Sequence, residues 1–231
     1  MEPTHRGFLA IAFLAISGAH AAGARGMDIS EDLLSSGQGG RDSGQPRLTL
    51  AFVDCANLPP AMLAAVQAET AALVAAMGVD GRVRTVPPGS DLDPSAVTLI
   101  VMDGQAPTRS MEGVMGAVQR QGALPALWIY SANVAAGSRL GWRARRSWSA
   151  RDQDTFARAM ARVAVHEVVH LVCPWRRHDR EGLMAAILDR GTLTGSRLPF
   201  TRELRRDFVL GVDAMAGDAF SVARSGAEPR H

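Results

Sequence analysis

Three of the six histidines of this 231-residue chain lie within thirteen positions, as the string HEVVH from His166 to His170 and then His178. The string lies inside an almost continuous apolar run from Phe156 to Val172, which predicts a buried α-helix. Histidines at positions i and i+4 of a helix lie one turn apart on the same face. Because polar groups on a buried helix need strong partners, the run predicts a helix folded around a metal site.

Glu167 lies about 100° around the same helix from His166, too far to join the two histidines as a third ligand. It can still reach a water molecule on the metal. This arrangement is typical of zinc hydrolases, in which the ion polarises a carbonyl and lowers the pKa of its water toward about 7. Glu167 is then expected to act as general base and acid. Chance placement of the string on an ordinary helix is the alternative.

A catalytic zinc ion takes three protein ligands and leaves one position open, so the third ligand defines the class of site. His178 is one candidate, because the loop that follows His170 can bring it back over the metal. Glu203 is the other, because Glu203-x-x-x-Asp207 resembles the second-helix motif of thermolysin-like zincins. The thiolate of Cys173, three residues past His170, is a weaker candidate.

The string HEVVHLVCPWRRHDREGLM at residues 166–184 resembles the metzincin motif H-E-x-x-H-x-x-G-x-x-H with its following methionine turn. The resemblance implies three zinc ligands, a catalytic carboxylate and a turn methionine, which fall on His166, His170, His178, Glu167 and Met184. The chain is more similar still to a group of exported bacterial zincin-like proteins, in which seven residues separate the second and third histidines. The resemblance covers most of residues 48–210 at the level of pattern.

The chain departs from the metzincin pattern after its second histidine and after its methionine. The glycine of the motif is replaced by a Cys-Pro pair, and the loop to His178 is two residues longer. No tyrosine follows Met184, since Tyr130 is the only tyrosine in the chain. Oxyanion stabilisation is therefore expected from zinc alone or from an arginine such as Arg176 or Arg177.

The order of predicted elements gives an α/β fold, and the resemblance implies an α+β zincin-like version of it. This version has a mixed sheet with a backing helix, an active-site helix carrying HExxH, and a C-terminal helix. Apolar, β-rich runs predict strands at residues 48–53, 82–86, 97–102 and 127–130. Helices are predicted at residues 61–77, from a cap at Asp152 or Asp154 to Cys173, from Thr201 to about Ala216, and, as a short element, at residues 27–34.

Residues 1–21 are expected to form a secretory signal peptide, because a short apolar stretch precedes an A-x-A cleavage site. Residues 22–46 are expected to form a flexible linker or short pro-segment, and residues 217–231 a loose tail. The metalloprotease domain is predicted between them, at residues 47–216. The protein is thus expected to be secreted or periplasmic, without stable membrane association after cleavage.

Charge and cysteine content add little specificity. The formal net charge of +2 gives no reason to expect a nucleic acid partner, and none is predicted. Cys55 and Cys173 are expected to be structural thiols, with a disulfide invited by an oxidising compartment. The segment Arg139–Trp148, basic with interleaved tryptophans, is expected to be a solvated loop, with a substrate rim as the alternative.

The sequence as a whole predicts a Zn2+-dependent, metzincin-like metalloendopeptidase, in which Glu167 activates a zinc-bound water against a peptide or protein substrate. Two alternatives remain open. One is a non-catalytic, zinc-stabilised binding protein with the zincin fold, which the missing glycine and tyrosine favour. The other is an amidase acting on cell-wall material, because the motif does not specify what surrounds the reacting carbonyl.

Overall fold

The computed structural model describes residues 45–105, 113–120, 125–197 and 200–225, with side chains as far as residue 217. Its strands are β1 (Arg47–Asp54), β2 (Asp80–Val86), β3 (Val97–Met102), β4 (Gly116–Gln119) and β5 (Ala126–Tyr130). Its helices are α1 (Pro60–Ala76), α2 (Ser131–Gly137), α3 (Ala150–Val172), α4 (Arg190–Thr194) and α5 (Arg202–Ser225). A 3-10 turn at Trp142–Ser147 lies between α2 and α3.

The strands form one mixed sheet in the order β2-β1-β3-β5-β4. Strands β2, β1, β3 and β5 are parallel, whereas β4 pairs antiparallel with β5 at the edge of the sheet. The inner strands are runs of apolar residues such as those around Leu50, Leu99 and Ile129, which are fully buried. Apolar residues on successive positions are expected where helices cover both faces of a parallel sheet.

Helix α1 is the backing helix of the sheet. It starts at Pro60, where a proline is favoured because its ring fixes φ and the missing N–H has no helical partner. It ends before Gly78, whose φ of +92° is a left-handed conformation that favours glycine. Met62 and Val66 on its inner face are completely buried in the core.

Helix α3, which carries the HEVVH string, starts with a capping box. The Ser149 hydroxyl accepts a hydrogen bond from the Asp152 backbone N–H, and the Asp152 carboxylate accepts one from the Ser149 backbone N–H. The predicted cap at Asp152 or Asp154 is therefore wrong, because Ser149 is the cap and Asp152 occupies the third helical position. The predicted end is confirmed: α3 stops at Val172, because Pro174 disfavours helix at Cys173.

The predicted α/β fold with a mixed sheet, a backing helix and the two later helices is confirmed. Strand β4 and helices α2 and α4 were not predicted. Helix α5 runs to Ser225, past the predicted end at Ala216. The segment Arg139–Trp148 is more ordered than the predicted loop, because Trp142 and Trp148 pack on Phe156 and Arg145 covers the Trp142 ring.

The predicted signal peptide, the linker as far as residue 44 and the short helix at residues 27–34 lie outside the described residues. The domain boundaries proposed from the sequence stay predictions. Among the described helices, none is both long and apolar enough to cross a membrane.

Candidate metal centre

The side chains of His166, His170 and His178 converge on one point. The Nε2 atom of His170 lies 3.1 Å from Nε2 of His166 and 3.0 Å from Nε2 of His178. Among the histidine, cysteine and carboxylate side chains of the described residues, these three histidines bring their ligand atoms close enough together to hold one metal ion. The i, i+4 spacing thus brings the rings of His166 and His170 together, as expected from the sequence. The role of the three histidines as metal ligands stays a prediction.

The backbone just before Met184 orients His166. Nδ1 of His166 donates a hydrogen bond of 2.6 Å to the carbonyl oxygen of Leu183. This bond places the proton on Nδ1 and leaves the Nε2 lone pair free for a metal, as a hydrogen-bonded outer shell does in metal sites. Met184, the predicted turn methionine, is fully buried in the core beside Leu183.

The local electrostatics favour the neutral form of His166 and His170. Burial lowers the pKa of His170, the neighbouring His166, His178 and Arg120 act in the same direction, and together they bring it to about 4. Burial also lowers the pKa of His166. Neutral imidazole is the form that binds metals, so the site is prepared for a cation at neutral pH.

The donor set fits zinc. Three imidazole nitrogens with one open position are a known catalytic zinc arrangement, and ligand nitrogens on a tetrahedral zinc lie roughly 3.3 Å apart. The nitrogen separations from His170 to His166 and to His178, 3.1 and 3.0 Å, are within a few tenths of an ångström of this value. The three histidines face a cleft of about 700 Å³, so the open position is accessible to a ligand from solvent.

Glu167 lies in the same cleft, against strand β4. It is 7% exposed, and burial raises its pKa to about 7. Its side chain covers the α-carbon of Gly116, where a β-carbon would lie 2.6 Å from Oε1 of Glu167. The carboxylate and the histidines therefore share one cleft between α3 and the edge strand.

The opposite wall of the cleft is formed by residues 185–188, which lead into α4. Arg162, one turn before His166 on α3, is 2% exposed and donates to the carbonyl oxygens of Thr192 and Gly195 at the end of α4. A guanidinium is well suited to several carbonyl acceptors at a helix C-terminus. This buried contact fixes α4, and with it the segment at residues 185–188 that lines the cleft, to α3.

Two sequence alternatives for the third ligand are not supported. Glu203 is exposed near the start of α5 and lies outside the group of converging ligand atoms. Cys173 is buried, and its thiol donates to the Asp207 carbonyl oxygen at 3.2 Å. The pairing of the two cysteines, which the sequence leaves open, is absent: Cys55 and Cys173 are both free, Cys55 on the surface and Cys173 in the core.

The arginines expected near the oxyanion are also placed differently. Arg176 is engaged by the carboxylates of Asp179 and Asp207, and Arg177 is exposed. Arg120, at the end of β4, lines the cleft instead and donates from Nη2 to the carbonyl oxygen of His170. Sequence reasoning missed Arg120 and Gly116 because the strand that carries them is only four residues long and has no strong β signal.

Asp179, the residue after His178, is held by both its side chain and its backbone. Its carboxylate receives Arg176, and its backbone N–H donates to the Met184 carbonyl oxygen at 2.8 Å. Asp179 therefore acts on the site by fixing the path of the loop that carries His178.

Comparison with known proteins identifies the fold. No protein-family model matches the sequence, and no curated protein sequence matches it. The structure is similar to archaemetzincin from Methanopyrus kandleri, with a TM-score of 0.53 and 11% identity over 72% of this chain and 96% of that one. A zinc-dependent peptidase from Methanocorpusculum labreanum matches at a TM-score of 0.47 and 13% identity, over 69% of this chain and 99% of that one. The chain shares its mixed α/β fold with archaemetzincin.

Proposed function

We propose that this chain is a zinc-dependent metallopeptidase, with His166, His170 and His178 as the zinc ligands and Glu167 as the catalytic residue. The observation that carries the proposal is the convergence of three imidazoles, with nitrogen separations of 3.0 and 3.1 Å, in a cleft shared with a buried carboxylate. The similarity of the fold to archaemetzincin supports the same class of reaction.

Zinc, when bound, would polarise the scissile carbonyl and make a water molecule more acidic. Glu167 takes the proton of the attacking water and then delivers it to the amine of the leaving group. Its position one residue after His166 directs its carboxylate to the cleft but not to the point where the histidines converge. The close contact with Gly116 limits the orientations that the carboxylate can adopt.

An exposed strand edge beside the site supports a peptide substrate. Strand β4 pairs with β5 on one side, and none of the described strands pairs with its other side. The outward-facing backbone N–H and C=O groups of an edge strand can bind an extended peptide as an additional strand. Gly116 and Val118 of β4 line the cleft, so a peptide on this edge would pass directly by Glu167.

Arg120 is our candidate for the cation that stabilises the oxyanion. Tyr130, the only tyrosine, is 4% exposed and is not among the residues that line the cleft. Arg120 does line it, and one of its N–H groups is used by the His170 carbonyl oxygen. A guanidinium has five N–H donors, so others are available for a developing negative charge.

We also propose that the protein is exported. The apolar stretch from Phe8 to Ile16 and the A-x-A sequence at residues 19–21 support a cleaved signal peptide. The peptidase would then act outside the cytoplasm as the mature chain, with its catalytic domain at residues 47–216.

The first experiment measures zinc content and peptide cleavage for the wild type and Glu167→Gln. We expect one zinc per chain in both proteins, and a loss of turnover of about 10²- to 10⁴-fold in the variant, because general acid–base catalysis is removed. Turnover near the wild-type value in the variant would exclude Glu167 from the mechanism. Glu203→Gln, on the exposed start of α5, is the matched control and should change neither quantity.

The ligand set is tested separately by His178→Ala and Glu203→Ala. Weaker zinc binding in His178→Ala alone is expected for the three-histidine site. Loss of zinc in Glu203→Ala alone would instead favour a thermolysin-like site, and no zinc in the wild type would contradict the proposal as a whole.

A non-catalytic, zinc-stabilised binding protein is the second candidate. The absence of the motif glycine and of a tyrosine after Met184 favours it. Full zinc occupancy without cleavage of any member of a diverse peptide library would support this function over peptide hydrolysis.

A further inference from the structure

The third histidine of the site is the one that the local sequence fixes least. His166 and His170 are set by α3, whereas His178 is exposed on a loop that lacks the motif glycine and is two residues longer than in metzincins. Some other contact must hold this loop if His178 is to meet the other two histidines. We propose that Arg176 is the positioning residue that holds His178 for zinc, an inference that rests on the zinc site proposed above.

Arg176 joins the loop to helix α5 through two carboxylates. Its Nη1 donates to Asp207 on α5 at 2.5 Å, and its Nη2 donates to Asp179 at 2.9 and 3.2 Å. Asp179 is the residue directly after His178. The Arg176 and Asp207 side chains are only 10% and 16% exposed, so solvent screens their ion pair less than a surface pair. Charge-assisted bonds from a planar guanidinium also fix direction, which a single surface contact does not.

The helical end of this connection is rigid. A β-carbon at Gly211 would lie 2.5 Å from the Val172 carbonyl oxygen, so α5 packs with its backbone directly against the end of α3. The Cys173 thiol adds a hydrogen bond to the Asp207 carbonyl oxygen. Asp207 therefore belongs to the same packed unit as the helix that carries His166 and His170.

The loop end is fixed as well. The Asp179 backbone N–H donates to the Met184 carbonyl oxygen, and Asp179 forms an isolated bridge with Ala185. The neighbouring carbonyl of Leu183 accepts from Nδ1 of His166. Arg176 thus connects α5 to a turn that also orients the first histidine. The connection orders His178 before metal binds, which reduces the conformational entropy lost on binding.

The test is the zinc dissociation constant of the mature chain, measured by competition with a chelator. Arg176→Gln and Asp207→Asn should each weaken zinc binding about 10- to 100-fold, as the loss of an outer partner of a metal ligand does. The double variant should be little weaker than either single variant, because both remove the same connection. Arg176→Lys should recover part of the affinity. The neighbouring exposed arginine provides the control, Arg177→Gln, which should bind zinc like the wild type.

Cobalt substitution distinguishes positioning from general stability. Co2+ in Arg176→Gln should give a visible spectrum shifted from that of the wild type toward that of His178→Ala, because the third ligand is lost or displaced. A variant with lower unfolding stability but unchanged zinc affinity and cobalt spectrum would overturn the inference. If Arg176→Gln does not fold, the same comparison is made with Asp207→Asn and Arg176→Lys. A wild type that binds neither metal would overturn the zinc site itself, and this inference with it.

Discussion

The side chain of Glu167 packs directly against the α-carbon of Gly116, which carries no side chain. A β-carbon at residue 116 would lie 2.6 Å from both Cγ and Oε1 of Glu167, closer than side-chain atoms approach one another. The φ angle of Gly116 is not in the positive region, so its backbone does not require glycine for conformation. Glycine at this position provides the space that the Glu167 side chain occupies. Strand β4 and the Glu167 carboxylate are therefore positioned against each other.

Gly116→Ala should therefore displace the Glu167 carboxylate. We expect turnover to fall by about 100-fold, since a displacement near 1 Å at a reacting group has an effect of this size, while zinc content stays at the wild-type value. The unfolding free energy should also fall, by about 1 to 3 kcal/mol from overpacking. The measurements are steady-state cleavage, zinc content and urea denaturation.

Gly141→Ala is the control for this substitution. A β-carbon at Gly141 would have its nearest neighbour at 4.0 Å, and its φ of −80° suits alanine. This variant should keep wild-type turnover. Equal turnover in Gly116→Ala and Gly141→Ala would show that the carboxylate tolerates the added methyl group.

Those parts of the fold that depend on local sequence could be predicted. The HEVVH string fixes His166 and His170 on one helical face by the 3.6-residue period alone. Apolar runs and proline and glycine signals gave the inner strands, the backing helix and the end of α3 at Pro174. The capping box of α3 is also visible in the sequence, as Ser149 followed three residues later by Asp152, but the prediction placed the helix cap at an acidic residue.

Contacts between distant segments could not be predicted. Arg176 was expected near the oxyanion, but its partner Asp207 lies 31 residues away on another helix. Whether Cys55 and Cys173 pair could not be decided from the sequence, because a cysteine count gives no distance between thiols, and both are free. Strand β4 is short, and it becomes a strand by pairing with β5 rather than by its own propensity.

The stability of the metal-free protein should depend on pH through Glu167. Its carboxyl ionises near pH 4.5 in the unfolded chain, whereas burial raises its pKa to about 7 in the folded protein. Between these values the folded state binds the additional proton, so the contribution of Glu167 to stability is lost as pH rises through this window. The difference between the two pKa values corresponds to about 3 kcal/mol.

Glu167→Gln removes this titration. In the presence of a chelator, its unfolding free energy relative to wild type should rise by about 2 to 3 kcal/mol between pH 5 and pH 8. Urea denaturation at the two pH values measures the difference, and the histidines of the site cancel because both proteins contain them. Glu203→Gln, an exposed carboxylate, should show no such change, and a constant difference for Glu167→Gln would contradict the buried ionisation.

The two thiols should react differently with an alkylating reagent. Burial raises the pKa of Cys173 to about 11, with Asp207 acting in the same direction and Arg176 against it. A raised pKa keeps the thiol protonated at pH 8, and the thiolate is the reactive form. Cys55 is exposed. Mass spectrometry should find one alkylated cysteine in the native protein and two in urea without reductant, and Cys55→Ser should abolish the native reaction. No alkylation in urea without reductant would instead indicate that Cys55 and Cys173 form a disulfide.

Arg120→Gln should separate transition-state stabilisation from substrate binding. If its guanidinium meets the oxyanion, removal should lower kcat by about 10²- to 10³-fold with little change in KM, because the interaction forms only in the transition state. Zinc content should stay constant, since Arg120 contacts the backbone of His170 and not its ring. Arg202→Gln, on the exposed start of α5, is the control and should match the wild type. A higher KM with unchanged kcat, seen for peptides with a free C-terminus but not for amidated ones, would instead make Arg120 a binding residue for a substrate carboxylate.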